Sequence, residues 1–185
     1  MPFLPRAAGF LLERLMRVFP VVAVMGARQV GKSTLVRHLP SLSQHLYLTL
    51  DDLALRLQAE ADPHALLSRG EKLILDEVQR VPELLLAIKR SVDEARIPGR
   101  FVLTGSAHLL LHAHLAEILA GRAAYLVLWP LTRREQQGLG RAGPWGELLA
   151  APVKAWPSLL REMQVPRRIS GTRWPGGASQ YPPSF

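Results

Sequence analysis

An α/β domain, with a parallel sheet enclosed between helices, is predicted by three observations. Five short runs are apolar almost throughout instead of alternating, as strands buried on both faces must be. Segments of helical period separate these runs, so strand and helix take turns along the chain. The first run leads straight into a glycine-containing loop and then into a helix.

The elements follow in order. Ala8 to Val18 carries Phe10, Leu11, Leu15 and Val18 at helical spacing and predicts an amphipathic helix. Val21–Met25 is the first strand, and Thr34–Leu39 begins the helix after the loop. Leu46–Leu50 is the second strand and ends at Asp51-Asp52. Helical segments occupy Leu53–Ala59 and the stretch after Asp62-Pro63, where Asp caps and Pro takes the first helical position. Lys72–Asp76 is the third strand. The helix opening at Pro82-Glu83 buries Leu85, Ile88 and Val92. Phe101–Thr104, closed by Gly105-Ser106, is the fourth strand, a Leu-rich helix spans Ala107 to Ala120, and Ala124–Leu128 is the fifth strand.

Past Gly138 the character changes. Residues 139–185 hold seven of the fifteen prolines and three of the four tryptophans. One helix is predicted near Trp156–Met163, and beyond Pro166 neither period is present. The organisation is therefore a domain over 1–138 and an irregular remnant over 139–185, the last 20 or so residues of it poorly ordered.

A length of 185 residues supports one cored domain plus a fragment. The chain has no cysteine, which excludes disulfides and thiolate metal sites. No apolar run approaches the ~20 residues that span a bilayer, and the N-terminus lacks a signal-peptide core. A soluble cytoplasmic protein without a membrane partner is expected. Of the net charge of +8, half lies beyond Gly138, where six basic residues face two acidic ones. The cations are mostly Arg and no basic cluster is interleaved with aromatics, so a dedicated nucleic-acid stripe is not indicated.

The loop Gly26-Ala27-Arg28-Gln29-Val30-Gly31-Lys32-Ser33, followed by Thr34, satisfies G-x-x-x-x-G-K-[ST], the Walker A phosphate-binding pattern. Its glycines let the backbone curl so that N–H groups converge on phosphates. Lys32 brings charge to the β/γ-phosphates, and the Ser33 hydroxyl is a ligand for Mg²⁺. The helix that follows directs its positive dipole end at the anion. Together with the α/β alternation, this predicts a three-layer P-loop NTPase.

Leu73-Ile74-Leu75-Asp76-Glu77, an apolar strand ending in paired carboxylates, reads as Walker B. Asp76 would hold Mg²⁺, and Glu77 would polarise the attacking water. Neither D-x-x-G nor N-K-x-D occurs, which excludes the GTPase pattern. Ser106, after Thr104-Gly105, is positioned either to meet the γ-phosphate or water or to cap the next helix. Arg122 closes the Leu-rich helix just before the fifth strand. There it either compensates the helix dipole or acts in trans as an arginine finger. His108 and His112 share a helical face with His114 nearby, but a third ligand at zinc spacing is missing. Asp51-Asp52 either approaches the Mg²⁺ region from the end of the second strand or, as the preferred reading, forms a turn with helix-capping carboxylates, and Gln79 is placed to orient water or read the γ-phosphate.

Taken together, Gly26 to Thr34, Leu50-Asp51-Asp52, Leu75 to Gln79, Thr104-Gly105-Ser106 with Leu119 to Arg122, and Pro130-Leu131-Thr132 resemble the AAA-type P-loop ATPases of bacteria and archaea. The resemblance covers roughly residues 8 to 138. It implies an AAA+-like core of five parallel strands in the order 5-1-4-3-2, with ATP and Mg²⁺ as cofactors. It also implies Lys32, Ser33, Asp76 and Glu77 as nucleotide and metal residues, with Ser106 and Arg122 as accessory ones, and a homo-oligomer formed through Arg122. Members of that group continue into a second domain of unknown function. Residues 139–185 do not read as that domain, and the resemblance so implies a truncated or frame-shifted gene or part of a longer protein. Three functions compete: an ATP-hydrolysing core driving an unknown client process, a nucleotide-binding module without significant turnover, and an ATP-dependent regulator associated with nucleic acid.

Overall fold

The computed structural model describes residues 3–106, 117–140 and 151–162. Its elements run α1 (Ala7–Met16), β1 (Val21–Gly26), α2 (Lys32–His38), β2 (Leu46–Thr49), α3 (Leu53–Ala61), α4 (Pro63–Leu67), β3 (Leu73–Asp76), α5 (Leu84–Glu94), β4 (Phe101–Ser106), β5 (Ala123–Val127), α6 (Arg133–Gln136) and α7 (Trp156–Glu162). The chain divides into two compact units, Met1–Arg141 and Ala142–Phe185. The first contains the whole sheet; the second contains α7 and a 3₁₀ turn at Val153–Ala155.

The five strands form one all-parallel sheet in the order β2-β3-β4-β1-β5, which is 5-1-4-3-2 read from the other edge. Strand residues alternate between two faces. Val21, Ala23 and Met25 join Leu73, Leu75, Phe101 and Leu103 in a core shared with Ala59, Leu66, Leu84, Ile88 and Val92 of α3, α4 and α5. Val22 and Val24 join Ile74 and Val102 on the opposite face, beneath Leu12 of α1 and Leu35 of α2. Helices thus cover both sides, which is why β1, β3 and most of β4 are apolar at successive positions.

The caps form as the sequence dictates. The Asp52 carboxylate accepts from the N–H groups of Ala54 (2.8 Å) and Leu55, and Asp62 accepts from Ala65 N–H (2.9 Å) ahead of Pro63. One expectation is corrected. Phe10 and Leu11 of the predicted α1 stripe, and Val18 beyond its end, are exposed. The helix packs through Leu12, with Ala8, Leu15 and Met16 beside it, because that side carries the small residues Ala8 and Gly9 and lies closest to the sheet. The predicted Leu-rich helix falls mostly on residues 107–116, outside the described residues, as do His108, His112 and His114 and the tail 163–185. Ile118 and Leu119 at its end are buried in the first core. Among the described residues no helix is long and apolar enough to cross a membrane.

Candidate functional site

Parallel strands bring their C-terminal ends to one edge of the sheet, and the candidate residues collect there. Gly26 ends β1 where backbone from beyond β5 comes close. A Cβ at Gly26 would lie 2.4 Å from the Leu128 carbonyl oxygen, and the Leu128 N–H bonds Met25 O at 2.7 Å. The loop then turns through Gln29 and Gly31, both with positive φ (64° and 93°). Glycine takes that conformation freely; Gln29 takes it at a cost. The helix begins at Lys32, two residues before the predicted start, so Lys32 and Ser33 form the first turn of α2. Lys32 is buried, and its ammonium donates to Gly26 O (3.1 Å) and Ala27 O (2.9 Å) inside the curl of the loop.

Asp76 stands at the end of β3, two strands away from β1 across β4. It collects three hydroxyl donors. Ser33 Oγ donates to Oδ1 at 3.0 Å, the Thr104 hydroxyl also donates to Oδ1, and Tyr47 OH donates to Oδ2 at 2.5 Å. Burial, and then the hydrogen bond to the Asp76 carboxylate, push the Tyr47 phenol above its usual range, which keeps it a donor. Arg37 lies over the Tyr47 ring at 5.0 Å. Tyr47 is invisible to motif reading: it sits in register with Ile74, and only the neighbouring strand's position brings its hydroxyl to Asp76.

Glu77 has left-handed backbone (φ 60°), a sparsely populated region for a side chain of this kind. Its N–H donates to Thr104 Oγ1 at 3.1 Å, so the Thr104 hydroxyl ties both acidic residues to β4. The Glu77 carboxylate accepts from the Gln79 amide, whose own oxygen accepts from Ser106 N–H at 3.3 Å. Gln79 therefore joins Glu77 to Ser106, and all three line a cavity of about 660 Å³ together with Arg28 and Lys32. An adjoining cavity of about 470 Å³ is bordered by Arg28, Gln29, Gly31 to Thr34, Asp51 and Glu77. Asp51 reaches both and pairs with Arg80 at 2.7 Å, whereas its neighbour Asp52 only caps α3.

A third cavity, about 690 Å³ and mainly apolar, borders the same loop at Arg28 to Gly31 and is walled by Phe3, Leu4, Leu35, His38, Pro130 and Leu131. Phe3 stacks on His38 with centroids 5.0 Å apart. Sequence reading missed its N-terminal wall, because residues 3–6 show no period or motif of their own. Arg6, on the same wall, is buried and engages Glu135 in an ion pair of 3.2 Å.

Arg122 is placed elsewhere. It precedes β5, whose first residue is level with Val21 at the start of β1, so it lies at the sheet edge opposite the loop. Its guanidinium holds Asp93 through Nε (2.5 Å) and Nη2 (2.9 Å), and Nη1 donates to Ala120 O at 3.0 Å. The hydrogen bond from Arg122 holds Asp93 below the usual carboxylate range and raises the arginine in turn. Among the described residues no cluster of three His, Asp or Glu side chains is arranged for a metal.

Residues 18–137 match the family described as AAA domain. The chain belongs to that family. It carries an ATPase-like, nucleotide-binding core. Uncharacterized proteins of Mycobacterium bovis and Mycobacterium tuberculosis are each 37% identical over 133 residues, which is 70% of this chain and 30% of theirs. The chain thus spans 30% of the length of those curated relatives. Among solved structures it is similar to a Walker-type ATPase of Pyrococcus abyssi (16% identity, 86% of this chain and 66% of that one, TM-score 0.47). It is also similar to AMPPCP-bound DnaA of Aquifex aeolicus (15% identity, 82% and 52%, TM-score 0.48). At these TM-scores neither likeness bears on what this chain binds.

Proposed function

We propose that this chain binds ATP with Mg²⁺ at the Gly26–Thr34 loop and hydrolyses it. The observation that carries the reading is the buried ammonium of Lys32. It donates only to neutral carbonyl groups and has no carboxylate partner among the described residues. Burying a charge without a counter-charge is costly, and an anionic phosphate chain supplies the missing partner. The loop N–H groups and the start of α2 favour the same anion.

The donors beside Lys32 fit Mg²⁺, a hard cation that takes oxygen ligands: the Ser33 hydroxyl and the Asp76 carboxylate are already 3.0 Å apart. Ser33 and Asp76 would hold the ion. When bound, it neutralises charge on the β/γ oxygens during transfer. Tyr47 and Thr104 fix the orientation of the Asp76 carboxylate. Glu77 would accept a proton or hydrogen bond from the attacking water, and Gln79 with Ser106 would hold that carboxylate in place. The apolar cavity lined by Phe3, His38 and Leu131 offers a site for the base and ribose.

Arg122 cannot reach its own phosphate site from the opposite sheet edge, and we assign it to the nucleotide of a neighbouring copy in a homo-oligomer. The client process, and any activity of the longer relatives, lie beyond the core. Titration of the parent and of Lys32→Ala with Mg·AMPPNP tests the binding step. The parent should bind and Lys32→Ala should not, with its thermal unfolding unchanged. Equal binding by both would remove Lys32 and this loop from the reading.

A further inference from the structure

Arg6 lies outside every phosphate-binding motif, yet its guanidinium reaches the middle of the loop. Nη1 donates to Val30 O at 2.8 Å, Nη2 donates to Trp129 O at 2.5 Å, and Nε donates to Glu135 Oε1 at 3.2 Å. Glu135 is held in turn by Ala7 N–H (2.9 Å), Thr132 N–H (2.8 Å) and the Thr132 hydroxyl (3.0 Å). The pair is nearly sealed from solvent, with side chains 6% and 5% exposed. A cation this well buried needs partners, and each of its three nitrogens donates to one: Val30 O, Trp129 O and Glu135.

The contact with Val30 has a consequence for the loop. The Val30 carbonyl and the Gly31 N–H belong to one planar trans peptide and point in opposite directions. Anchoring the carbonyl on Arg6 therefore turns the Gly31 N–H away from Arg6, and Gly31 borders the cavity that Lys32 and Ser33 also line. Gly31 lies at φ 93°, where glycine has freedom to swing, and a Cβ on it would sit 3.4 Å from Arg6 Nη1. An unanchored Val30–Gly31 peptide would be free to rotate and lose a phosphate donor.

We propose that Arg6 is a positioning residue for phosphate binding: it locks the Val30–Gly31 peptide with the N–H toward the phosphates, and Glu135 locks Arg6. The inference rests on the nucleotide reading of the loop. It also makes nucleotide affinity depend on the segment Trp129–Glu135, which leads out of the sheet after β5.

The test is calorimetric titration of Mg·AMPPNP into the parent and into Arg6→Lys, with the Gly31 amide followed by ¹⁵N NMR in the nucleotide-free proteins. Lysine keeps the charge beside Glu135 but cannot serve Val30 O, Trp129 O and Glu135 at once. Loss of one charge-assisted hydrogen bond should weaken binding about tenfold and shift the Gly31 resonance before any nucleotide is added. Should Arg6→Lys fail to fold, Glu135→Gln carries the same expectation: the charge that holds Arg6 is gone, and the single amide oxygen can keep the bonds from Thr132 only by turning its NH2 to Arg6 and Ala7. A folded variant with parental affinity and an unmoved Gly31 resonance overturns the inference and leaves the nucleotide reading standing. A parent that does not bind Mg·AMPPNP at all retires that reading, and this inference with it.

Discussion

Two arginine–carboxylate pairs, Arg6–Glu135 and Arg122–Asp93, join similar groups at opposite edges of the sheet and in opposite environments. Arg6 and Glu135 are buried, and each is held by further hydrogen bonds to backbone of other segments. Arg122 and Asp93 are solvent-accessible, with side chains 27% and 46% exposed, and among the described residues their bidentate contact is shared with the Ala120 carbonyl alone. The difference teaches how position decides what an ion pair does. A buried pair is a structural joint, because either partner left alone is a stranded charge. An exposed pair is exchangeable, because water and other partners replace it at small cost. An arginine meant to reach a neighbouring copy has to be of the second kind.

The sharpest way to break this comparison is at Arg122. Under the trans-acting assignment, Arg122→Ala leaves nucleotide affinity unchanged and lowers turnover by about 10³-fold. Mixing it with Lys32→Ala should recover part of the activity, at concentrations where copies associate, since each chain supplies what the other lacks. Turnover per chain that is independent of concentration, with a mixture that stays dead, would reduce Arg122 to a cation that closes a helix end. The next effect is on stability. Arg6→Met should lose about 3–5 kcal/mol in urea denaturation, because it strands Glu135. Asp93→Asn should leave the denaturation midpoint where it is. Similar losses from both would abolish the distinction between joint and exchangeable pair.

The smallest effect sharpens the comparison through pH. Burial alone would raise the Glu135 carboxyl. The hydrogen bonds from Thr132 N–H, Ala7 N–H, the Thr132 hydroxyl and Arg6 outweigh it and hold the group below its ordinary 4.5. A depressed folded-state value means stability that is complete above about 4.5 and is lost as pH falls through the lower folded value. Glu135→Gln should therefore flatten the acid limb of the stability profile just below that value, as read from thermal melts at stepped pH. An unchanged acid limb would mean that other carboxylates set it.

The legible and illegible parts of the sequence divide along similar physical lines. The five strands and the Walker motifs were readable because local pattern determines them: Val21–Met25 is apolar at every position, and Lys32, Ser33, Asp76 and Glu77 lie within short motifs; the strand order followed only from the family resemblance. The structure brings Ser33 to Asp76 and Ser106 to Glu77 through Gln79, while it keeps Arg122 apart. Tyr47, Arg6 and Glu135 were not readable. Tyr47 looks like any strand aromatic until the register of β2 on β3 is known. Arg6 and Glu135 are 129 residues apart, and nothing local marks either as buried. The α1 stripe misled for a related reason: several faces of that helix carry apolar residues, and only the docking of Leu12 chose among them.

Glu77 offers the most direct test of hydrolysis at this site. Glutamine at position 77 keeps the shape and the amide-accepting oxygen but removes the charge needed to take a proton from water. Phosphate release and Mg·ATP binding should be measured together on the parent and on Glu77→Gln. The account predicts that binding is retained at parental affinity while phosphate release is lost. Parental rates of release from Glu77→Gln would contradict it.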